Sequence, residues 1–297
     1  MRYLIAAICV AIAGVLFVMG RADSAHGDAP TDRTWGWSGE VDAGNWVRVR
    51  NTNGAVRIEP ALGRAVEVTA TKKWKGRRPE AVHFAATRSG SDVTICAIWG
   101  RDGECDEERY RWAKTSWWTK LVFRRTPVSV DFVVRLPAGS HVGASSVNGG
   151  VTIDGATADV VVETVNGAIK ANTVAGSLKA ETVNGSITVR VDSLPADGDV
   201  ELETVNGSLV AELPETLDAE LDLETVNGRI SVSDYPVTVT GKLDPHHLRA
   251  TLGSGGRKLK METVNGSVSL KKRVVGGGGS GGHGGGGGHG GSGGGVM

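Results

Sequence analysis

Five glutamates stand at one fixed offset before an Asn-Gly dipeptide. Glu163, Glu181, Glu203, Glu224 and Glu262 each open the pentapeptide ETVNG, at 163–167, 181–185, 203–207, 224–228 and 262–266. Regularly spaced carboxylates suggest two chemistries: acid–base cleavage of a polysaccharide, or capture of a divalent cation. Polysaccharide-cleaving β-helices usually break their repeat with unique residues on one face, whereas these acids obey the repeat, as an architectural role requires. If they form an outward column with neighbours about 4.8 Å apart, their charges repel by roughly 1 kcal/mol per pair in water. Lys170, Lys179, Arg190 and Arg229 are at hand to relieve this, or a bound cation would. The segments lack the Asp/Asn/Gly density of calcium loops, so a solvated face neutralised by Lys and Arg is preferred and the five glutamates are weak metal candidates.

Other chemistry is sparse. The sequence contains no HExxH, GxSxG, P-loop or dinucleotide fingerprint after a strand, so no catalytic residue and no cofactor is expected. His246-His247 follows Asp244-Pro245 and reads as a surface turn in preference to a metal or acid–base site. Cys96 and Cys105 flank a Gly-Arg-Asp-Gly turn and read as a disulfide in preference to two free thiols, given an oxidising compartment. All eight Trp lie between Trp35 and Trp118, and ERYRWAKTSWWTKLVFRR mixes bases with Trp112, Trp117 and Trp118. That segment either caps one end of a β structure or forms a ligand surface for stacking on a glycan. Lys+Arg and Asp+Glu balance at 33 each, so bulk charge does not point to nucleic acid. Three NGS triplets, at Asn184, Asn206 and Asn265, match the glycosylation acceptor but follow from the repeat.

The elements that position these residues follow from periodicity. Asn148, Asn166, Asn184, Asn206, Asn227 and Asn265 are spaced by 18, 18, 22, 21 and 38 residues. A period near 20 with short alternating strands predicts an all-β, parallel β-helix-like solenoid of two strands and two turns per coil. The 38-residue step reads as two periods spanning a diverged coil around YPVTVTGKLDPHHLRA. In SLKAET, Leu178, Ala180 and Thr182 share the inner face while Lys179 and Glu181 share the outer. Asn-Gly is expected to supply positive backbone angles at the turn, and the six Asn to form a column of amides, each bond contributing about 1 kcal/mol. SVNG (146–149), TVAG (173–176) and NTNG (51–54) are weaker echoes, and Leu-Pro at 136–137, 194–195 and 213–214 marks strand ends.

These signals divide the chain into an export signal at 1–25, with cleavage preferred over an uncleaved anchor, and a polar leader at 26–34. A Trp-rich β region at 35–139, the ETVNG solenoid at 140–273 and a Gly-rich tail at 274–297 follow. Arg2 followed by the uncharged run Leu4–Met19 carries the export reading, and His283 and His289 in the tail read as incidental. The stretch SVDFVVRLPAGSHVGASSVNGGVTIDG resembles bacterial β-strand-repeat proteins of the putative-adhesin family, a domain of unknown function. In that family an alternating strand ends in a Pro-x-Gly turn, here Pro137-Ala138-Gly139, and a short strand then ends in Asn-Gly, here Asn148-Gly149. The resemblance covers about 45–270, with 72–125 as an elaboration. It implies a surface or envelope location and carries no catalytic residues. The expected function is a non-enzymatic adhesin or envelope-binding module, exported to the periplasm, envelope or exterior. Its partner would be an envelope glycan or surface protein, with no nucleic acid and no membrane contact beyond an uncleaved N-terminus. The alternatives are a self-associating scaffold and, behind it, a polysaccharide-active enzyme.

Overall fold

The computed structural model describes residues 32–76, 81–100, 104–105, 110–111, 127–239 and 244–273, and every regular element among them is a strand. The first nine are β1 (Thr34–Glu40), β2 (Trp46–Arg50), β3 (Val56–Pro60), β4 (Ala65–Lys73), β5 (Val82–Ser89), β6 (Asp92–Trp99), β7 (Glu104–Cys105), β8 (Tyr110–Arg111) and β9 (Ser129–Leu136). The repeats follow as β10 (His141–Asn148), β11 (Val151–Ala156), β12 (Val160–Asn166), β13 (Ile169–Thr173), β14 (Leu178–Asn184), β15 (Ile187–Val191), β16 (Val200–Asn206) and β17 (Leu209–Leu213). The chain closes with β18 (Ala219–Asn227), β19 (Ile230–Ser233), β20 (Val237–Val239), β21 (His247–Leu252), β22 (Arg257–Asn265) and β23 (Val268–Lys272).

Two long sheets stack these strands as a β-solenoid. One runs β1-β4-β9-β3-β11-β13-β15-β17-β23-β19, the other β5-β6-β2-β10-β12-β14-β16-β22-β18-β21-β20. Each coil contributes one strand to each sheet, and successive coils pair in parallel, with Leu178 opposite Val200 and Ile187 opposite Leu209. Period-two alternation decides which side chains meet between the sheets. Leu178, Ala180 and Thr182 of β14 face Ile187, Val189 and Val191 of β15 in the interior, all buried. Each buried Val, Leu or Ile contributes roughly 1.5–3 kcal/mol over leaving it in water, which is why marginal coils accumulate into a stable stack.

The two corners of a coil differ. The Asn-Gly corner keeps one length, while the opposite corner varies. It is three residues at 157–159, four at 174–177, eight at 192–199 and five at 214–218, counted between flanking strands. This variation, together with strands of five to nine residues, accounts for the uneven Asn spacing. TVAG, an apparent echo of the repeat, belongs to the opposite corner: Val174–Gly176 connects β13 to β14.

One expectation about order is corrected. The 38-residue step is not two periods of stacked coil. After β18 and β19 the chain forms β20 and β21, which pair antiparallel at the edge of one sheet. It then returns to insert β22 and β23 between β16/β17 and β18/β19. The 35–139 and 140–273 segments also share both sheets: β2 pairs with β10, and β3 with β11. Within the first segment, β6 and β9 extend the parallel stack by one more coil. Antiparallel β5 then covers β6, and antiparallel β4 and β1 cover β9. Trp35 and Trp99 serve this end. Trp35 stacks on Phe84 with centroids 5.0 Å apart, Phe84 meets Phe132 edge-on at 6.0 Å, and Trp99 is buried beside them in the same core.

Candidate functional site

The alternation that buries Ala180 and Thr182 turns Glu181 outward, and parallel register aligns the repeated acids. Glu163 lies opposite Glu181, Glu181 opposite Glu203, Glu203 opposite Glu262, and Glu262 opposite Glu224. The adjacent outward column, two residues earlier, reads Lys179, Glu201, Lys260 and Asp222 in spatial order, with Arg249 opposite Asp222 on β21. Its lysines hold the acids together. Lys179 Nζ is 2.9 Å from Glu181 and 3.0 Å from Glu201; Lys260 Nζ is 2.5 Å from Glu203, 3.3 Å from Glu262 and 3.5 Å from Glu201.

Of the four bases expected to neutralise the column, only Lys179 does so. Lys170 and Arg190 sit on the other sheet, where Arg190 binds Glu212 at 2.7 Å, and Arg229 lies past the corner. The principal neutraliser is Lys260, which was hidden in sequence because its coil is displaced in space. Glu163 and Glu224, at the two ends of the column, have no ion pair among the described residues.

The electrostatics are uneven along this face. Burial raises the pKa of Glu262, and the neighbouring charges of Glu203 and Glu224 add to it against the pull of Lys260. Burial also opposes ionisation of Glu201, but its bonds to Lys179 and proximity to Lys260 more than offset this, so its pKa falls. Both lysines are held well above their ordinary value, Lys179 chiefly by Glu181 and Lys260 by Glu203 against its own burial. At the far end His247 Nε2 is 2.8 Å from Asp222 Oδ1, while the His246 N–H donates to Asp244 in a turn, so the His pair does not converge on one site. A shallow groove of about 470 Å3 runs over this end, lined by Glu220, Asp222, Arg249, Thr251, Lys258 and Lys260 among others. Among the described residues no group of three or more His, Cys, Asp or Glu is arranged to hold a metal ion.

The remaining residues of ETVNG are committed to the corner. Asn166 donates to Asn148, Asn184 to Asn166, Asn206 to Asn184, Asn265 to Asn206 and Asn227 to Asn265, at 2.8–2.9 Å. The column thus runs 148-166-184-206-265-227, in spatial order. Thr forms a second column that sequence reasoning missed. Its hydroxyl, read only as an inward-facing group, donates to the Gly carbonyl of the neighbouring coil: Thr164 to Gly149, Thr182 to Gly167, Thr204 to Gly185, Thr263 to Gly207 and Thr225 to Gly266, at 2.8–3.1 Å. The serines of the NGS triplets add a third line, with the Ser208 N–H donating to Ser186 and the Ser267 N–H to Ser208.

The role of Gly is corrected. Gly149, Gly167, Gly185, Gly207, Gly228 and Gly266 do not have positive φ, although Gly54 (118°) and Gly176 (103°) do. A Cβ on any of the six would lie 1.8–2.1 Å from the carbonyl oxygen of the corner stacked against it. Gly is required there for close backbone approach, not for a left-handed turn.

Residues 129–271 match the family model described as Toastrack DUF4097. That region is similar to the Toastrack DUF4097 family. The match begins at Ser129, where the resemblance read from SVDFVVRLP begins, and spans the Toastrack coils through β23. Among solved structures, a putative cell adhesion protein from Clostridium sporogenes ATCC 15579 is similar at 10% identity and a TM-score of 0.46, covering 81% of this chain and 100% of its own. A putative adhesin from Bacteroides fragilis NCTC 9343 is similar at 9% identity and a TM-score of 0.26, covering 83% and 100%. No curated protein matches the chain.

Ahead of the Toastrack match, Cys96 and Cys105 form a disulfide with their Cα atoms 6.2 Å apart, tying β6 to β7. Trp46 stacks on His141 of the first Toastrack coil at 5.0 Å, and the Arg48 guanidinium lies 5.1 Å from the same ring. The ligand-surface residues Trp112, Trp117 and Trp118, the export signal, the leader to residue 31, and the tail with His283 and His289 lie outside the described residues.

Proposed function

We propose that this chain is an exported, non-enzymatic binding module of the cell envelope, an adhesin-type rod that engages an envelope glycan or surface protein. One observation carries the reading. Three of the five glutamates that first suggested chemistry, Glu181, Glu203 and Glu262, are held in pairs with Lys179 and Lys260, and the Asn, Thr and Gly beside them hold the corner together. What such a stack offers a partner is long flat faces with side chains repeated at coil spacing, which suits an extended polymer better than a small substrate. The Cys96–Cys105 bridge supports residence in an oxidising compartment.

The test is retention of the full chain on peptidoglycan and on envelope polysaccharide. Binding that Trp117→Ala and Trp118→Ala weaken is the expected result; release of reducing ends from the polysaccharide would overturn the non-enzymatic reading. A second reading, a scaffold that stacks end to end, is favoured by one detail. Among the described residues β19 ends its sheet without a covering antiparallel strand, whereas β1, β5 and β20 cover the other ends. An open edge invites strand pairing. Under that reading, chains lacking residues 1–125 form concentration-dependent filaments.

A further inference from the structure

The last coil in sequence is not the last in space. β22 and β23 fill a slot with β16 and β17 on one side and β18 and β19 on the other. The Thr and Asn ladders both cross that slot unbroken. Thr263 donates to the Gly207 carbonyl at 2.9 Å, and Thr225 reaches the Gly266 carbonyl at 2.8 Å. Asn265 donates to Asn206 at 2.8 Å, and Asn227 to Asn265 at 2.9 Å. Leu259, Met261, Val268 and Leu270 supply the buried layer. The slot therefore recognises a coil built on ETVNG by contacts that do not depend on which chain supplies it.

The ends of the inserted coil are latched to the slot itself. The Arg257 guanidinium donates to the carbonyls of Pro195 at 2.7 Å, Asp218 at 3.1 Å and Leu194 at 3.2 Å. Arg273 pairs with Asp192 at 2.7 Å and donates its N–H to the Leu213 carbonyl. Entry to the coil is through Gly253-Ser254-Gly255-Gly256, where the three glycines have φ of 56°, 77° and 108°. Such a loop can re-aim the coil without steric penalty.

We propose that residues 257–272 are an exchangeable coil and that two copies of this chain interlock, each seating its coil in the other's slot. Latches, ladders and apolar contacts all lie between coil and slot, so they are the same in the exchanged pair. Only the Gly loop changes course, and mass action sets the balance between closed monomer and exchanged dimer.

Glu201 and Lys260 are Cα partners across β16 and β22, with outward side chains, and they report which chain fills the slot. In a full chain carrying Cys9→Ser, the double variant E201C/K260C closes a disulfide within one chain, which establishes that the pair can bond. The single variants E201C and K260C, refolded together and oxidised, then give a covalent heterodimer several-fold more abundant than either homodimer. A heterodimer no more abundant than the homodimers, from folded single variants, overturns the proposal. A measurement without new cysteines runs beside it. Light scattering on the native chain refolded at rising concentration reports a dimer whose share grows, and grows further when Gly255 and Gly256 are deleted. A mass that stays monomeric at every concentration in both chains also overturns it.

Discussion

The two corners of each coil join the same pair of sheets under opposite rules. At the Asn-Gly corner, backbones stack so closely that a Cβ has no room, and Thr hydroxyls, Asn amides and Gly carbonyls repeat one bonding pattern from Asn148 to Asn227. At the opposite corner the connection ranges from three to eight residues. Side chains do much of the bridging between coils there: Asp159 accepts from the Ser177 N–H, Asp199 from Lys258 and Asp218 from Ser254, each at 2.8 Å, and Arg257 donates to the Leu194, Pro195 and Asp218 carbonyls, beside backbone bonds such as the Val174 N–H to Ala156. A corner packed backbone to backbone fixes both length and sequence. A corner bridged by side chains tolerates change in both, because a carboxylate on a flexible stem can reach over loops of different size.

The largest break in that contrast is Gly185→Ala. Its Cβ would lie 2.0 Å from the Gly167 carbonyl oxygen, and relief requires moving backbone in stacked coils whose separation is fixed by the sheets on both sides. Loss of about 3 kcal/mol or more is expected in denaturant melts, at the upper end of overpacking costs. Two residues inserted between Ala196 and Asp197, in the eight-residue opposite corner, should cost under about 0.5 kcal/mol, because lengthening a loop adds only a logarithmic closure term. Equal losses from the two changes would abolish the distinction between the corners.

Thr204→Val comes next. The side chain keeps its shape and burial, but the hydroxyl bond of 2.9 Å to the Gly185 carbonyl is lost. About 1–2 kcal/mol is expected, since the carbonyl forfeits a buried donor. Asn184→Ala removes two amide bonds, to Asn166 and from Asn206, but both are exposed and water replaces them; about 1 kcal/mol is the expected upper bound. Chemical denaturation of both variants ranks the ladders, and a larger loss for Asn184→Ala than for Thr204→Val would reverse the assignment of which column holds the corner.

Much of this was legible because the repeat is strict. Alternation in SLKAET placed Leu178, Ala180 and Thr182 inside, and the spacing of Asn-Gly gave coils and a column. What sequence could not show was order in space. Equal ETVNG segments at 224–228 and 262–266 are interchangeable as strings, so nothing in them says that the second lies inside the first. Lys260 was overlooked as the partner of Glu203 for that reason. The role of Gly also escaped, because Asn-Gly carries a strong positive-φ expectation, while close approach of stacked backbone leaves the same residue without the same angle. The strictness of Gly across every Asn-Gly corner was the available signal, since turns that need only positive φ admit Asn as well.

The smallest effect concerns the charged face beside the fixed corner, where two acids of similar position should respond to pH with opposite sign. Glu201 has a lowered pKa in the folded protein, through Lys179 and Lys260 against its own burial. Its ionised form therefore stabilises the fold above the ordinary carboxylate pKa, and that contribution is lost as pH falls through the folded value. Glu262 has a raised pKa, from burial and the nearby Glu203 and Glu224 charges. Its ionised form destabilises the fold at neutral pH, and the penalty is relieved as pH falls from above the raised value toward the ordinary one. Glu201→Gln should thus lower stability at pH 7 and Glu262→Gln should raise it, each by about 0.5 kcal/mol given partial exposure. Both differences from the native chain should shrink toward zero in acid, once the native carboxylates are protonated in folded and unfolded chains alike. Melts of the three proteins between pH 3 and 8 decide it: if Glu262→Gln destabilises at pH 7 by as much as Glu201→Gln, then its bond to Lys260, at 3.3 Å, outweighs the repulsion along the column, and the five glutamates act as one neutralised strip.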